Sequence, residues 1–238
     1  MILCYQCGCE RCVKNGFMQG QQRYKCKECG YNFIDKPRRG HSQPVLALAV
    51  WLYLSGLSQR RIARLFSVSP PAVLKWIKTF ALKNAPKPVP AGEGAAVVEL
   101  DEMWHFLKKK PCKIWIWKAY CPDTGQLIDW ECGDRDRATL DRLLERLKAW
   151  KILLYCTDDY QPYGSALPAG RHSIGKDQTY RIEQNNSRQR HWFARFKRRC
   201  VVVTRSLLML ELTMRLFATF HVNGNDAPLL EMVSSMIG

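Results

Sequence analysis

Six cysteines fall within the first 29 residues: Cys4, Cys7, Cys9, Cys12, Cys26 and Cys29. Four of them form the pattern Cys4-x2-Cys7-x18-Cys26-x2-Cys29. Each CxxC step turns two thiolates toward one point, and two such knuckles supply the four tetrahedral sulfurs that suit a structural Zn2+ ion. The gap between them fits a short hairpin, so the pattern predicts a zinc ribbon over residues 1–40. A segment this small cannot build a sufficient core, and the metal would supply its folding energy. Cys9-x2-Cys12 is a second CxxC within reach and could replace the first knuckle. A disulfide scaffold would spread its pairs through a short secreted chain. Here the remaining five cysteines (Cys112, Cys121, Cys132, Cys156, Cys200) are scattered singly and read as small buried hydrophobes.

The charge is as informative as the cysteines. The chain has 238 residues and a formal net charge of +16, with 37 Lys and Arg against 21 acids. Such a surplus points to a polyanionic partner, most often nucleic acid. The first 90 residues hold 15 of the cations and only 3 of the acids. An apolar fraction of 47% excludes wholesale disorder. Met1-Ile2-Leu3 runs straight into Cys4 without a basic or apolar leader, and the apolar run from Pro44 to Leu57 is too short to span a bilayer. The expectation is a soluble protein with no membrane partner and no small-molecule substrate.

Residues 41–84 read as helices. Ser58 is an N-cap for a helix with Ile62, Ala63 and Phe66 inward. Ser67-Val68 makes a turn, and Ser69 caps a second helix with Pro70 at its first position, where a missing N–H costs nothing. Val73, Trp76, Ile77 and Phe80 recur on one face of that helix. Two short helices joined by such a turn form a helix-turn-helix, a DNA-binding module. Its second helix would present Lys75 and Lys78 to the major groove, with Arg60, Arg61 and Arg64 reaching phosphates. Ala85-Pro-Lys-Pro-Val-Pro-Ala-Gly-Glu-Gly94 then reads as an extended linker over 85–94.

The remainder is α/β. Strands are expected over 95–101, 113–120, 126–132 and 151–157, and helices over 137–150, about 179–198 and about 206–220. This order suggests a mixed sheet flanked by helices on both faces. A catalytic domain over 95–222 and a C-terminal tail over 223–238 complete the plan.

Three acids sit where phosphodiester chemistry would put them. Asp101 ends the first strand of this half, Asp158 ends the strand after the helix, and Glu183 lies on a later helix. Carboxylates at strand ends and on an adjacent helix can hold two divalent ions, which activate an attacking oxygen and stabilise the leaving one. Mg2+ (or Mn2+) suits few carboxylates plus water and phosphate oxygens. Glu99, Glu102 and Asp159 are neighbours that spacing alone does not exclude. Around Glu183 lie Arg181, Arg188, Arg190, Arg195, Lys197, Arg198, Arg199 and Arg205, interleaved with His191, Trp192, Phe193 and Phe196. Arg190 is two helical turns after Glu183 and on nearly the same face, placed to hold a phosphate. Arg188, Lys197, Arg198 and Arg199 are further candidates for DNA contact.

Three strings, Leu100-Asp-Glu-Met-Trp104, Thr157-Asp158 with Tyr163, and Thr179-Tyr-Arg-Ile-Glu183-Gln-Asn, resemble the catalytic blocks of insertion-sequence-one family transposases. Val13-Lys-Asn-Gly16, Gln22-Arg-Tyr-Lys-Cys26 and the helix-turn-helix are similar to that family's N-terminal part. The resemblance implies an RNase H-like fold and a DDE mechanism with Asp101, Asp158 and Glu183 as the Mg2+ ligands. Arg190 would match the basic residue that follows the family's Glu. Resemblance to known ribbons also favours Cys4 and Cys7 over Cys9 and Cys12. Water would open the phosphodiester at the element's end, and the freed 3′-hydroxyl would attack target DNA with no covalent protein intermediate. Pairing two ends implies at least a dimer at work, and the resemblance implies a cytoplasmic, nucleoid-associated protein of bacterial type. The rival readings are an RNase H-like nuclease or resolvase that cuts without joining, and a non-enzymatic ribbon and helix-turn-helix regulator.

Overall fold

A computed structural model describes residues 2–5, 7–34, 41–85, 87, 96–109, 111–196, 203–224 and 226–235. The chain forms two compact units, residues 1–41 and 42–238.

The first unit is a three-stranded antiparallel sheet of β1 (Cys12–Met18), β2 (Gln21–Cys26) and β3 (Asn32–Ile34), in that order. Its apolar core is little more than Cys4, Cys26 and Phe33, with Tyr5 and Tyr24 against the Phe33 ring. Such a core is too small to hold the unit alone. The two knuckles are built alike. Gly8 N–H donates to the Cys4 carbonyl and Gly30 N–H to the Cys26 carbonyl, with φ of +75° and +70° at the two glycines. A side chain would meet nothing at either position. It is the left-handed backbone closing each knuckle that calls for glycine.

The second unit begins with α1 (Gln43–Leu54), α2 (Gln59–Leu65) and α3 (Pro70–Asn84). Ser58 and Ser69 cap α2 and α3 through the backbone N–H groups of Arg61 and Ala72. A five-stranded sheet follows, ordered β6-β5-β4-β7-β8. It comprises β4 (Ala96–Phe106), β5 (Lys113–Cys121), β6 (Gln126–Gly133), β7 (Ile152–Thr157) and β8 (His172–Ile174). Strands β4, β5 and β6 form an antiparallel meander, and β7 and β8 join parallel to β4. The helices are α4 (Arg137–Leu147), α5 (Gln161–Ala166), α6 (Tyr180–Trp192), α7 (Leu207–Leu216), which runs into a π-helical turn over 217–222, and α8 (Ala227–Ser234). This mixed sheet between helices is the α/β class expected for an RNase H-like domain.

Alternation along the strands separates two cores. Val98 and Leu100 of β4, with Trp117, Ala119 and Ile128, pack on Leu140, Leu143 and Leu147 of α4. Met103, Ile116 and Trp130 point to the other face, toward Ile182, Leu210, Met214 and Phe217. That second core continues without a break into α1–α3 through Val50, Tyr53, Leu54, Ile62, Val73 and Ile77. The helix-turn-helix expected as its own domain over 41–84 thus shares its core with the sheet domain. The reason is α1, which is apolar around its circumference and must be covered on several sides. It packs on α3, the π-helical turn and α8, and Tyr53 Oη lies 3.0 Å from Thr213 Oγ1. Helix α8, with Leu229 buried, occupies what read as a bare C-terminal tail. Of the expected linker, residues 86 and 88–94 lie outside the described residues.

Candidate active site

Asp101 does not end its strand. It is the sixth of eleven residues in β4, because antiparallel pairing with β5 continues from Glu99 to Phe106. What ends near Asp101 is the parallel partner: Glu99 pairs with Cys156, and β7 stops at Thr157. Two residues beyond that pair, on parallel strands, come Asp101 and Asp158. Burial, then the charges of Glu102 and Asp158, push Asp101 up to about 7, against the pull of Lys118. Asp159 is exposed, and its neighbour Asp158 is the acid that Asp101 feels. The Asp158 carboxylate accepts from the Tyr160 N–H at 3.1 Å, a local turn that fixes its direction.

Helix α6 docks on the face of the sheet that carries Asp101. Thr179 provides no side-chain cap, and the helix start is instead capped from the sheet. The Ile182 N–H donates to Glu99 Oε2 at 2.6 Å. One turn on, Asn186 Nδ2 donates to Asp101 Oδ2 at 2.5 Å, and Lys118 Nζ donates to Asn185 Oδ1 at 2.9 Å. Glu183, Asn186 and Arg190 are spaced to share one face of α6. Glu183 is exposed at the rim, close enough to Glu99 for its charge to raise the Glu99 carboxyl, which burial raises more. Arg190 is half-buried and near enough to Lys118 to repel it. The helix stops at Trp192, short of the expected 198, because Phe193 and Phe196 turn into the core.

The opposite face supports the loop of Asp158. Glu102, buried, accepts from Tyr163 Oη at 2.8 Å and from Arg135 at 2.6 and 2.9 Å. The Arg135 guanidinium lies 4.6 Å from the Trp115 ring centroid and 3.9 Å from that of Tyr160. Glu102 is thereby spoken for by the scaffold and is not free to ligate.

The residues around Asp101 suit a hard cation. They offer carboxylate oxygens, and Asn186 Oδ1 is buried without a hydrogen-bond partner. The three acids are not drawn into one tight cluster. Among the described residues, only Cys4, Cys7, Cys26 and Cys29 bring three or more such ligand atoms within 4.8 Å of one another. Their sulfurs are 3.5 Å apart for Cys4–Cys29 and 3.6 Å for Cys7–Cys26. That fits a tetrahedral ion with Zn–S bonds of about 2.3 Å. The Cys29 N–H helps pull the Cys26 thiol down to about 7. Cys9 and Cys12 stand outside the cluster.

Arg60, Arg61 and Arg64 on α2, Lys75 and Lys78 on α3, and Arg188 on α6 are all exposed. Lys197, Arg198 and Arg199 lie outside the described residues. Sequence reasoning missed Lys118, Asn185 and Asn186 and the capping role of Glu99. For Lys118 a signal existed: it lies inside the apolar run Ile114-Trp-Ile-Trp-Lys-Ala-Tyr120, a strand buried on both faces.

No helix among the described residues is long and apolar enough to cross a membrane. Residues 41–88 match the homeodomain-like family of helix-turn-helix domains, and residues 95–222 match the IS1 transposase family. The chain is 34% identical to insertion element iso-IS1n protein InsB of Shigella dysenteriae over 128 residues, 54% of this chain and 98% of that one. It is 33% identical to insertion element IS1 protein InsB of Shigella flexneri over 109 residues, 46% of this chain and 83% of that one. A simian T-cell lymphotropic virus intasome in complex with PP2A regulatory subunit B56 gamma has a chain with a TM-score of 0.37 and 13% identity, over 74% of this chain and 67% of that one. With the family model matching more than half of its length, the chain belongs to the IS1 transposases.

Proposed function

We propose that this transposase binds the ends of its own element and carries out DNA cleavage and strand transfer at Asp101, Asp158 and Glu183. The observation that carries the reading is that Asp101 and Asp158 each lie two residues beyond the Glu99–Cys156 pair of the parallel strands, with the Glu183 helix hydrogen-bonded to Asp101 itself. Burial, and after it repulsion from Glu102 and Asp158, raises Asp101. Divalent cations would relieve that repulsion. Such ions, when bound, supply activation of the attacking oxygen and stabilisation of the leaving one. Asp101 and Asp158 would hold them from the sheet and Glu183 from the rim of α6. Arg190, two turns along the same face, would grip the phosphate beside them. The Cys4, Cys7, Cys26 and Cys29 cluster would hold Zn2+ as a folding element. Arg60, Arg61, Arg64, Lys75 and Lys78 would hold duplex DNA, and Arg188, Lys197, Arg198 and Arg199 would add further DNA contacts. Joining two ends to one target calls for at least two protomers on the DNA.

The test is strand transfer on the gene's own flanking DNA with Mg2+ or Mn2+, comparing wild type with Asp158→Asn. Joined products from wild type alone are expected. Equal joining by both proteins would remove Asp158 from the site, and cutting without joining by wild type would make the protein a nuclease.

A further inference from the structure

The proposed mechanism leaves the buried amine of Lys118 unused. Lys118 has no exposed surface at all, and it is the cross-strand partner of Asp101. Its Nζ lies 5.3 Å from the Phe217 ring centroid and donates to Asn185 Oδ1 of α6. Burying an ammonium group is costly, and an apolar side chain of similar volume usually serves packing as well or better. Packing therefore does not account for a lysine here.

We propose that Lys118 is a positioning residue of this site: through its bond to Asn185 it holds α6, and with it Asn186 and Glu183, in register with the strand that carries Asp101. This rests on the metal-site reading above. Apolar contact between a helix and a sheet is non-directional and tolerates small slides and rotations. Hydrogen bonds do not. Asn185 and Asn186 are adjacent and reach two adjacent strands, Lys118 on β5 and Asp101 on β4. Glu99 fixes the helix start through the Ile182 N–H. These three points set the height and rotation of α6, and hence where Glu183 and Arg190 stand.

The sign of one measurement separates this role from a bystander charge. A bystander lysine repels the metal where it is protonated and leaves it alone where it is neutral, so removing one tightens metal binding or leaves it unchanged. Removing an anchor weakens it, because Glu183 is then no longer held over the strand that carries Asp101. Mn2+ binding to the full chain, followed by electron paramagnetic resonance, gives the affinity without relying on catalysis. Lys118→Met should raise the Mn2+ Kd at least tenfold and lower strand transfer at least as much. Asn185→Leu, similar in size but without an acceptor, should do the same. Asn185→Asp keeps an acceptor for Lys118 and should retain strand transfer within about threefold. An unchanged or lower Kd in Lys118→Met overturns the proposal. Should that variant fail to fold, the Asn185 pair decides, and equal behaviour of Asn185→Leu and Asn185→Asp overturns it. Wild type that binds no Mn2+, or Asp158→Asn that binds it equally well, would instead refute the metal-site reading and this inference with it.

Discussion

Replacing Asp101 by Asn should make the metal-free protein more stable at neutral pH while ending its chemistry. The Asp101 carboxyl is pushed up to about 7 from an ordinary value of 3.8, chiefly by burial and then by Glu102 and Asp158. A raised carboxyl favours the fold when protonated. That contribution is complete below about pH 4 and is lost as pH rises through about 7. A shift of roughly three units corresponds to about 4 kcal/mol, an upper bound, and relaxation around the ionised group leaves roughly 2–4 kcal/mol at pH 8. Asn keeps an oxygen to accept from Asn186 Nδ2, so the α6 contact survives without the charge. In a domain of this size the gain is a rise in Tm of about 5–15 °C at pH 8. Thermal unfolding of both proteins from pH 4 to 8.5, without added divalent cation or chelator, reads it. The two curves should converge near pH 4 and separate toward pH 8. Millimolar Mg2+ should then raise the wild-type Tm and leave the variant's unchanged, since only a state that binds is stabilised. A Tm difference that does not grow with pH would refute the reasoning.

Three further outcomes follow from the geometry. Gly56 has φ of +91°, and a Cβ there would lie 2.7 Å from the Trp192 carbonyl oxygen at the end of α6. Gly56→Ala should therefore cost about 2–3 kcal/mol in urea unfolding, whereas a loss below about 0.5 kcal/mol would contradict the close approach. Native mass spectrometry should find one Zn2+ per chain, lost in Cys26→Ser but retained in Cys9→Ser; loss in Cys9→Ser as well would bring the second CxxC back as a ligand pair. Arg60→Ala and Arg61→Ala should each weaken DNA binding and lower the slope of log K against log salt by about one, and an unchanged slope would take α2 off the phosphates.

What the sequence made legible is what local chemistry dictates. The knuckle spacing, the serine caps of α2 and α3, the strand alternation and the leucines of α4 each carry their structure in their own residues. What it concealed depended on partners distant in sequence. Asp101 read as a strand end because the apolar run stops there, yet β5 lies alongside and extends the strand by five residues. The helix-turn-helix read as a separate domain because a proline-rich segment follows it. Its α1 in fact spends its apolar circumference on α3, the π-helical turn and α8.

Helix α6 was the hardest element to orient, and for a reason that can be turned to use. Its buried positions are Ile182, Asn185, Asn186 and Gln189. That is the spacing of an inward stripe, but three of the four residues are amides, so a search for apolar periodicity finds no face. A buried amide obliges a partner. Asn185 takes Lys118, Asn186 takes Asp101, and Gln189 Nε2 lies 2.9 Å from Met214 Sδ. An amide stripe at helical spacing beside a candidate catalytic Glu thus predicts that the facing sheet carries charge. On that face of β4 and β5 the charged residues are Glu99, Asp101 and Lys118, and each of them bonds to α6. The polarity that hid the buried face of the helix from a hydrophobic reading is the means by which it meets the site.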